Sequence, residues 1–234
     1  MWKRPLFLAS LLIPLLGLLS SPPDTMALIY TIFGLVFLFR NHAHSLYQRV
    51  PGPDSLKVLV LFLLAGTLTE TLAWTNNYLK AAEQPALFHP QLIPDLIIGL
   101  GFYGGWALAW LLVLRWYRFA VPEAFIITGL QGIFFEQLGA VFLAMLAIVT
   151  QNPLAALFFG LYVFAVHGSV VGIALSPVID ETDTTPHSRH WTRFPIAILL
   201  MVGLAFAGCA AVSFVADLLG GLPPQQSIIE HPLW

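Results

Sequence analysis

Seven runs of apolar residues, each closed by short polar punctuation, constrain this chain of 234 residues more than any other feature. A helix crossing about 30 Å of hydrocarbon at about 1.5 Å per residue needs roughly 20 mostly apolar residues. The runs cover 5–21, 25–40, 57–79, 95–115, 123–150, 153–176 and 194–218. Between them lie Ser20-Ser21-Pro22-Pro23-Asp24, a polar stretch at 41–55, the proline-bearing 80–94, and 118–123 with Pro122. The last two breaks are Gln151-Asn152-Pro153 and an acidic, histidine-bearing loop at 180–193. Such breaks are turns. The expected fold is therefore all-α, a single transmembrane bundle of seven helices over residues 1–234 with no soluble domain.

Composition supports this. The chain is 58% hydrophobic and 9% charged, with a mean hydropathy of +0.83, whereas soluble domains carry about 25% charged residues. Disordered, collagen-like and coiled-coil folds are excluded by the same figures, and one cysteine excludes a disulfide scaffold. Ten Lys and Arg against twelve Asp and Glu, spread along the chain, leave no basic face for nucleic acid.

Cations retained on the cytoplasmic side set the orientation. With the N-terminus inside, the inner loops hold Lys3, Arg4, Arg40, Arg49, Lys57, Arg115, Arg118, Arg189 and Arg193, and the outer loops hold only Lys80. The C-terminal stretch 220–234 is then outside, and the expected location is the cytoplasmic membrane of a bacterium as a multi-pass protein. Lys3 and Arg4 before a run ending Leu18-Leu19-Ser20-Ser21 also resemble the start of a secretory signal, but no small-residue cleavage site follows. The first span is read as retained, with a kink at Pro14, because proline removes a backbone donor.

Ionisable side chains inside a membrane cost at least about 2.5–3.5 kcal/mol each and mark function. Three qualify: Glu70 in Gly66-Thr-Leu-Thr-Glu70, Glu136 in Gly132-Ile-Phe-Phe-Glu136, and His167. Glu70 follows Lys57 by thirteen residues, Glu136 follows Glu123 by thirteen, and His167 follows Pro153 by fourteen. At about 1.5 Å per residue all three lie roughly 20 Å along their helices, at a common depth. Thr67 and Trp74 share a helical face with Glu70, as does Asn77, while Gly129, Gly132 and Gly139 flank Glu136. Glycines there permit close helix approach or leave room for a ligand. Both helices carrying glutamate read as continuous.

Further polar residues cluster toward the outer end. His89 and Asp95 border a possible vestibule, although an acid in the first turn of a helix also suits its dipole. Gly99, Gly101 and Gly104 spell a dinucleotide fingerprint, but inside an apolar helix they read as a packing groove beside Tyr103 and Trp106. Gly168 and Gly172 after His167 read as another close-approach site.

On the inner side, His42, His44, His187 and His190 with Asp180, Glu181 and Asp183 invite a metal reading, but neither spacing matches a zinc signature. No metal or cofactor is assigned. Arg189 and Arg193 are alternatively lipid-phosphate contacts, with Trp191 an interfacial anchor. Cys209, among Gly203, Ala205, Ala207 and Gly208, reads as tight helix packing.

The expected function is a membrane-embedded enzyme in which Glu70 and Glu136 act as acid and base on an isoprenoid or lipid. His167 orients or relays a proton, and Thr67, Trp74, Asn77, His89, Asp95, Tyr103 and Trp106 contact substrate. Hydration, isomerisation or cyclisation of a double bond fits, since each needs a proton where water is scarce. A small proton- or cation-coupled carrier is one alternative. A non-catalytic subunit or assembly factor of a larger complex is another, and homo-oligomers fit either. The partners are membrane lipids or a lipid-soluble molecule.

Overall fold

The computed structural model describes residues 3–179 and 190–234. Ten α-helices and one 3-10 turn make it up, with no strand among the described residues. Five helical stretches are long and apolar enough to cross a membrane. They are α5 (Asp54–Leu79), α6 (Leu92–Trp116), the broken pair α7 (Val121–Phe135) and α8 (Ala140–Val149), α9 (Pro153–Leu175) and α10 (Arg193–Leu218).

The first two expected spans are shorter than read. Residues 5–21 divide into α1 (Lys3–Ser10) and α2 (Ile13–Gly17), the break falling just before Pro14 in the first turn of α2. Residues 25–40 give α3 (Leu28–Leu38), eleven residues long or about 16 Å. The stretch 41–55, expected as a turn, instead folds mostly as α4 (Arg40–Arg49). The hairpin formed by α1 to α3 is tied by Ser10 Oγ to Tyr30 Oη (2.9 Å) and by Thr31 Oγ1, which donates to the Leu11 carbonyl (2.9 Å). At its tip Asp24 accepts from the Tyr162 hydroxyl at 3.1 Å, nine residues inside α9. The tip thus reaches into the bundle.

Small residues set the helix spacing. Gly101 of α6 and Gly208 of α10 touch backbone to backbone, and Gly105 meets Leu204 in the same way. Of the three fingerprint-like glycines only Gly101 serves close helix packing; a Cβ at Gly99 would make ordinary contacts and one at Gly104 would meet nothing. Gly168 and Gly172 of α9 receive the rings of Phe125 and Phe33, so that close-approach site is used within the chain. Trp106, Trp110, Phe62 and Met201 are fully buried where α5, α6, α9 and α10 meet.

The inner end is pinned by buried charge. Arg193 donates to Glu123 Oε1 at 2.6 Å and to the Arg118 carbonyl, and its guanidinium lies 4.9 and 4.7 Å from the Phe119 and Phe194 ring centres. Glu123 Oε2 accepts from the Ala120 N–H at 2.8 Å and so caps α7. The headgroup reading of Arg193 is overturned, because its charge is spent inside the protein. Trp191 is two-thirds exposed. Lys57 pairs with Asp54 (2.8 Å) and lies over the Tyr47 ring at 4.2 Å. Burial, with Asp54 beside it, pushes the Tyr47 phenol well up, so it stays neutral.

Arg193→Met removes two hydrogen bonds made by a charged group and two cation–π contacts, and should cost about 2 kcal/mol or more. Reversible unfolding in mixed micelles measures it. Combining it with Glu123→Gln should cost less than the sum, because the two side chains share one interaction.

Candidate functional site

Glycine seats one turn before Glu70 and Glu136 organise the site. Gly66 lies under the Tyr103 ring, where a Cβ would overlap the aromatic carbons, and the Tyr103 hydroxyl donates to Glu70 Oε1 at 2.5 Å. Gly132 lies under the His167 ring in the same way, and His167 Nε2 meets Glu136 Oε2 at 2.8 Å. The repeated Gly-x-x-x-Glu is thus a mounting for a ring from a neighbouring helix. It leaves no empty floor for a ligand.

Hydrogen-bond directions fix where protons sit. His167 Nδ1 faces the Val163 carbonyl at 3.0 Å, which only accepts, so Nδ1 carries hydrogen. One further proton then belongs to Nε2 or to Glu136 Oε2, held between the two. On the other side Asp95 is completely buried. Its Oδ1 accepts from the His89 backbone N–H at 3.0 Å, and its Oδ2, with no N–H or O–H donor on it, faces the Glu70 carboxyl. Two neighbouring carboxyl groups away from water repel strongly when both are charged. Glu70 is therefore hydrogen-bonded to Tyr103 with Asp95 as a neighbouring acid, and Glu136 is paired with His167.

Both glutamates line the same two spaces. A cavity of about 310 Å³ is walled by Glu70, Gln131, Glu136 and Cys209 with Phe88, Phe102, Phe135 and Phe206. A smaller chamber of about 70 Å³ beside it holds Glu70, Glu136 and His167 with Thr69, Tyr103 and Trp106. The polar groups converge at one end of an otherwise apolar space, the usual make-up of a small-molecule site.

The helix carrying Glu136 is not continuous, contrary to its apolar pattern. α7 stops at Phe135, a 3-10 turn spans Glu136–Gly139, and α8 begins at Ala140. Gln137 (φ 49°) and Leu138 (φ 58°) are both left-handed, as is Gly139 (φ 89°). Each non-glycine residue in that region costs about 1–3 kcal/mol, a strain that clusters at functional sites. Irregular backbone at membrane depth is tolerated where it lines a cavity, and Glu136, Gln137 and Leu138 all line this one.

Several residues expected to contact substrate lie elsewhere. Thr67 faces outward and borders only a narrow crevice behind Glu70. Trp74 donates its indole N–H to the Pro90 carbonyl (3.0 Å) and stacks on Tyr78. Asn77 bridges the Ala73 carbonyl and the Ala86 N–H. Trp74 and Asn77 hold the 80–91 loop, and none of the three lines the shared cavities. His89 accepts from the Gln91 N–H at Nδ1 and donates from Nε2 to the Pro223 carbonyl (3.1 Å), so it is buried architecture supporting Asp95. Tyr103 and Trp106 do line the chamber. Cys209, expected only as a packing residue, lines the larger cavity, and Thr69, Gln131 and Phe102 join the lining without having been expected there; Thr69 adjoins Glu70 in sequence but lies about 100° round the helix from it, and the others carry no local signal.

The end of the bundle where α6 begins is roofed. Residues 80–91 dip into the bundle, so that Phe88 packs on Phe102 ten residues inside α6 (5.2 Å between centres). The stretch 220–234 straps across them: Gln91 Nε2 donates to the Gln226 carbonyl, and the Leu92 and Ile93 N–H groups to the Pro232 and Leu233 carbonyls. On the inner side His44 Nδ1 contacts the Pro177 carbonyl at 2.8 Å, and no group of three or more metal-ligating side chains occurs among the described residues. Asp180, Glu181, Asp183, His187 and Arg189 lie outside the described residues. Compared with protein-family models, curated proteins and solved structures, the chain matches none.

Gly66→Ala and Gly132→Ala should each destabilise by about 1–3 kcal/mol, since the seated ring has to move. Gly99→Ala, whose Cβ would meet Glu70 Cγ at an ordinary 3.5 Å, serves as the tolerated comparison. Thermal unfolding in detergent reads all three.

Proposed function

We propose that this chain is a membrane-embedded enzyme that performs acid/base chemistry on a lipid-soluble substrate, an isoprenoid or another lipid. One observation carries the reading: two intramembrane glutamates, each with its own proton-sharing partner, line one mainly apolar cavity. Glu70 donates its proton to a substrate double bond and is left as a carboxylate beside Tyr103. The Glu136–His167 pair then takes a proton, either from the carbon next to the resulting cation or from a water that adds to it. Isomerisation and cyclisation return as many protons as they use, and hydration consumes one water. Phenylalanine rings around the cavity favour a passing positive charge through their π faces. The proton gained by the Glu136–His167 pair returns to Glu70 across the chamber that both glutamates line, which closes the cycle.

The charge distribution sets the sidedness: N-terminus cytoplasmic, C-terminal stretch outside, in the cytoplasmic membrane of a bacterium. The hairpin of α1 to α3 begins and ends on the same side. Seven crossings, or five with a hairpin of half depth, therefore give one orientation for everything after residue 40.

The break at Glu136 favours a second reading, a proton- or cation-coupled carrier, because discontinuous helices place carriers' sites at the membrane midplane. The two separate in the test. An enzyme converts lipid in detergent, where no compartments exist; a carrier acts only in sealed vesicles and responds to a pH gradient.

Purified protein incubated in detergent with extracted membrane lipids should yield, by liquid chromatography and mass spectrometry, an isomer or a product heavier by one water. Glu70→Gln and Glu136→Gln should each slow formation by about 10²-fold or more. Wild-type rates in either variant would end the acid/base reading.

A further inference from the structure

We propose that the cavity is loaded sideways from the bilayer, and that its ligand is the end of a long linear apolar chain whose remainder stays in the lipid. The chemistry at that chain end rests on the acid/base reading above, but the route does not.

Three observations support the route. The inserted 80–91 stretch and the strap of residues 220–234 cover one end of the bundle, with His89 and Gln91 buried beneath them, and of this cover only Ala86, Leu87 and Phe88 reach the cavity wall. On the flank, the cavity wall runs from buried Glu70 and Gln131 to Phe206 and Leu138, which are 50% and 83% exposed. Phe206 lies thirteen residues after Arg193 and twelve before Leu218, the middle of a 26-residue helix. That is roughly 20 Å from either end, so the opening faces hydrocarbon and not water.

Size selects the ligand. A cavity of about 310 Å³ holds about ten groups the size of a water molecule, at about 30 Å³ each, and a chain carbon with its hydrogens is of that order. A polyisoprenoid or long acyl chain exceeds this several-fold, so only its end enters. The reactive double bond therefore lies within a few carbons of the terminus, next to Glu70 and Glu136.

Cys209 lines the cavity and is the chain's one cysteine, which makes it a native reporter of access. In phosphatidylcholine vesicles holding the full chain, N-dodecylmaleimide dissolved in the bilayer should alkylate Cys209. A charged maleimide added to the water on both faces should not, until detergent unfolding exposes the thiol. Phe206→Trp, which narrows the flank, should slow the alkyl reagent by roughly tenfold or more. Glu70→Gln should leave labelling unaltered, so loss of turnover in that variant with intact labelling separates chemistry from route. Equal labelling by the charged reagent, or no effect of Phe206→Trp, overturns the lateral route. Should the thiol at 209 react with neither reagent, Val202→Cys in a Cys209→Ser background reads the same wall. Failure of the alkyl reagent there as well overturns the proposal.

Discussion

A carboxyl group inside the hydrocarbon thickness has to find its hydrogen-bond partners and its proton within the protein, because water is not there to supply them. The centre of this fold follows from that requirement. Glu70 is met by Tyr103 and Asp95, and Glu136 by His167. Each ring that reaches a glutamate needs the space of a missing Cβ, which Gly66 and Gly132 provide. Helix spacing, ring placement and protonation are consequently one problem with one solution. Asp95 in turn is held by the backbone of His89, whose own ring is fixed by residues 91 and 223. The outer loop and the C-terminal strap are therefore part of the site's support, although neither His89 nor the strap touches the cavity.

The interrupted helix at Glu136 gives the site its asymmetry. Without the left-handed turn at Gln137 and Leu138, α7 would continue as a smooth rod past His167. With it, the cavity gains a wall of irregular backbone on the flank where α10 is most exposed. The protein is thus strapped over at one end, and strained and thinly covered on the flank of Leu138 and Phe206.

Much of this was legible in the order of residues, and some was not. Counting offsets from Lys57, Glu123 and Pro153 brought Glu70, Glu136 and His167 to one depth, because helical rise converts sequence separation directly into distance. Glycine spacing marked where helices or rings would approach. The break after Phe135 escaped notice because hydropathy is blind to φ and ψ: Glu-Gln-Leu-Gly sits in an unbroken apolar run with no proline. Asp95 was expected to contact substrate at a vestibule or to serve as a first-turn acid, and nothing in the sequence placed it next to Glu70, 25 residues earlier in the chain. Trp74, Asn77 and Thr67 lay near the Glu70 face but a little off its axis, enough to direct them to the loop or the outside. Short helices such as α3 and α4 were misjudged because the boundary between an apolar run and a polar helix is not a helix boundary.

The strap of residues 220–234 also bears on how the molecule is made. Its partners, at positions 89 to 93, emerge from the ribosome some 130 residues earlier. Until residues 220–234 have been made, the roof over Asp95 is incomplete. A chain that has reached only α10 therefore lacks the bonds that hold His89 and Gln91 in place, and the closing of the site waits on a segment far from it in sequence.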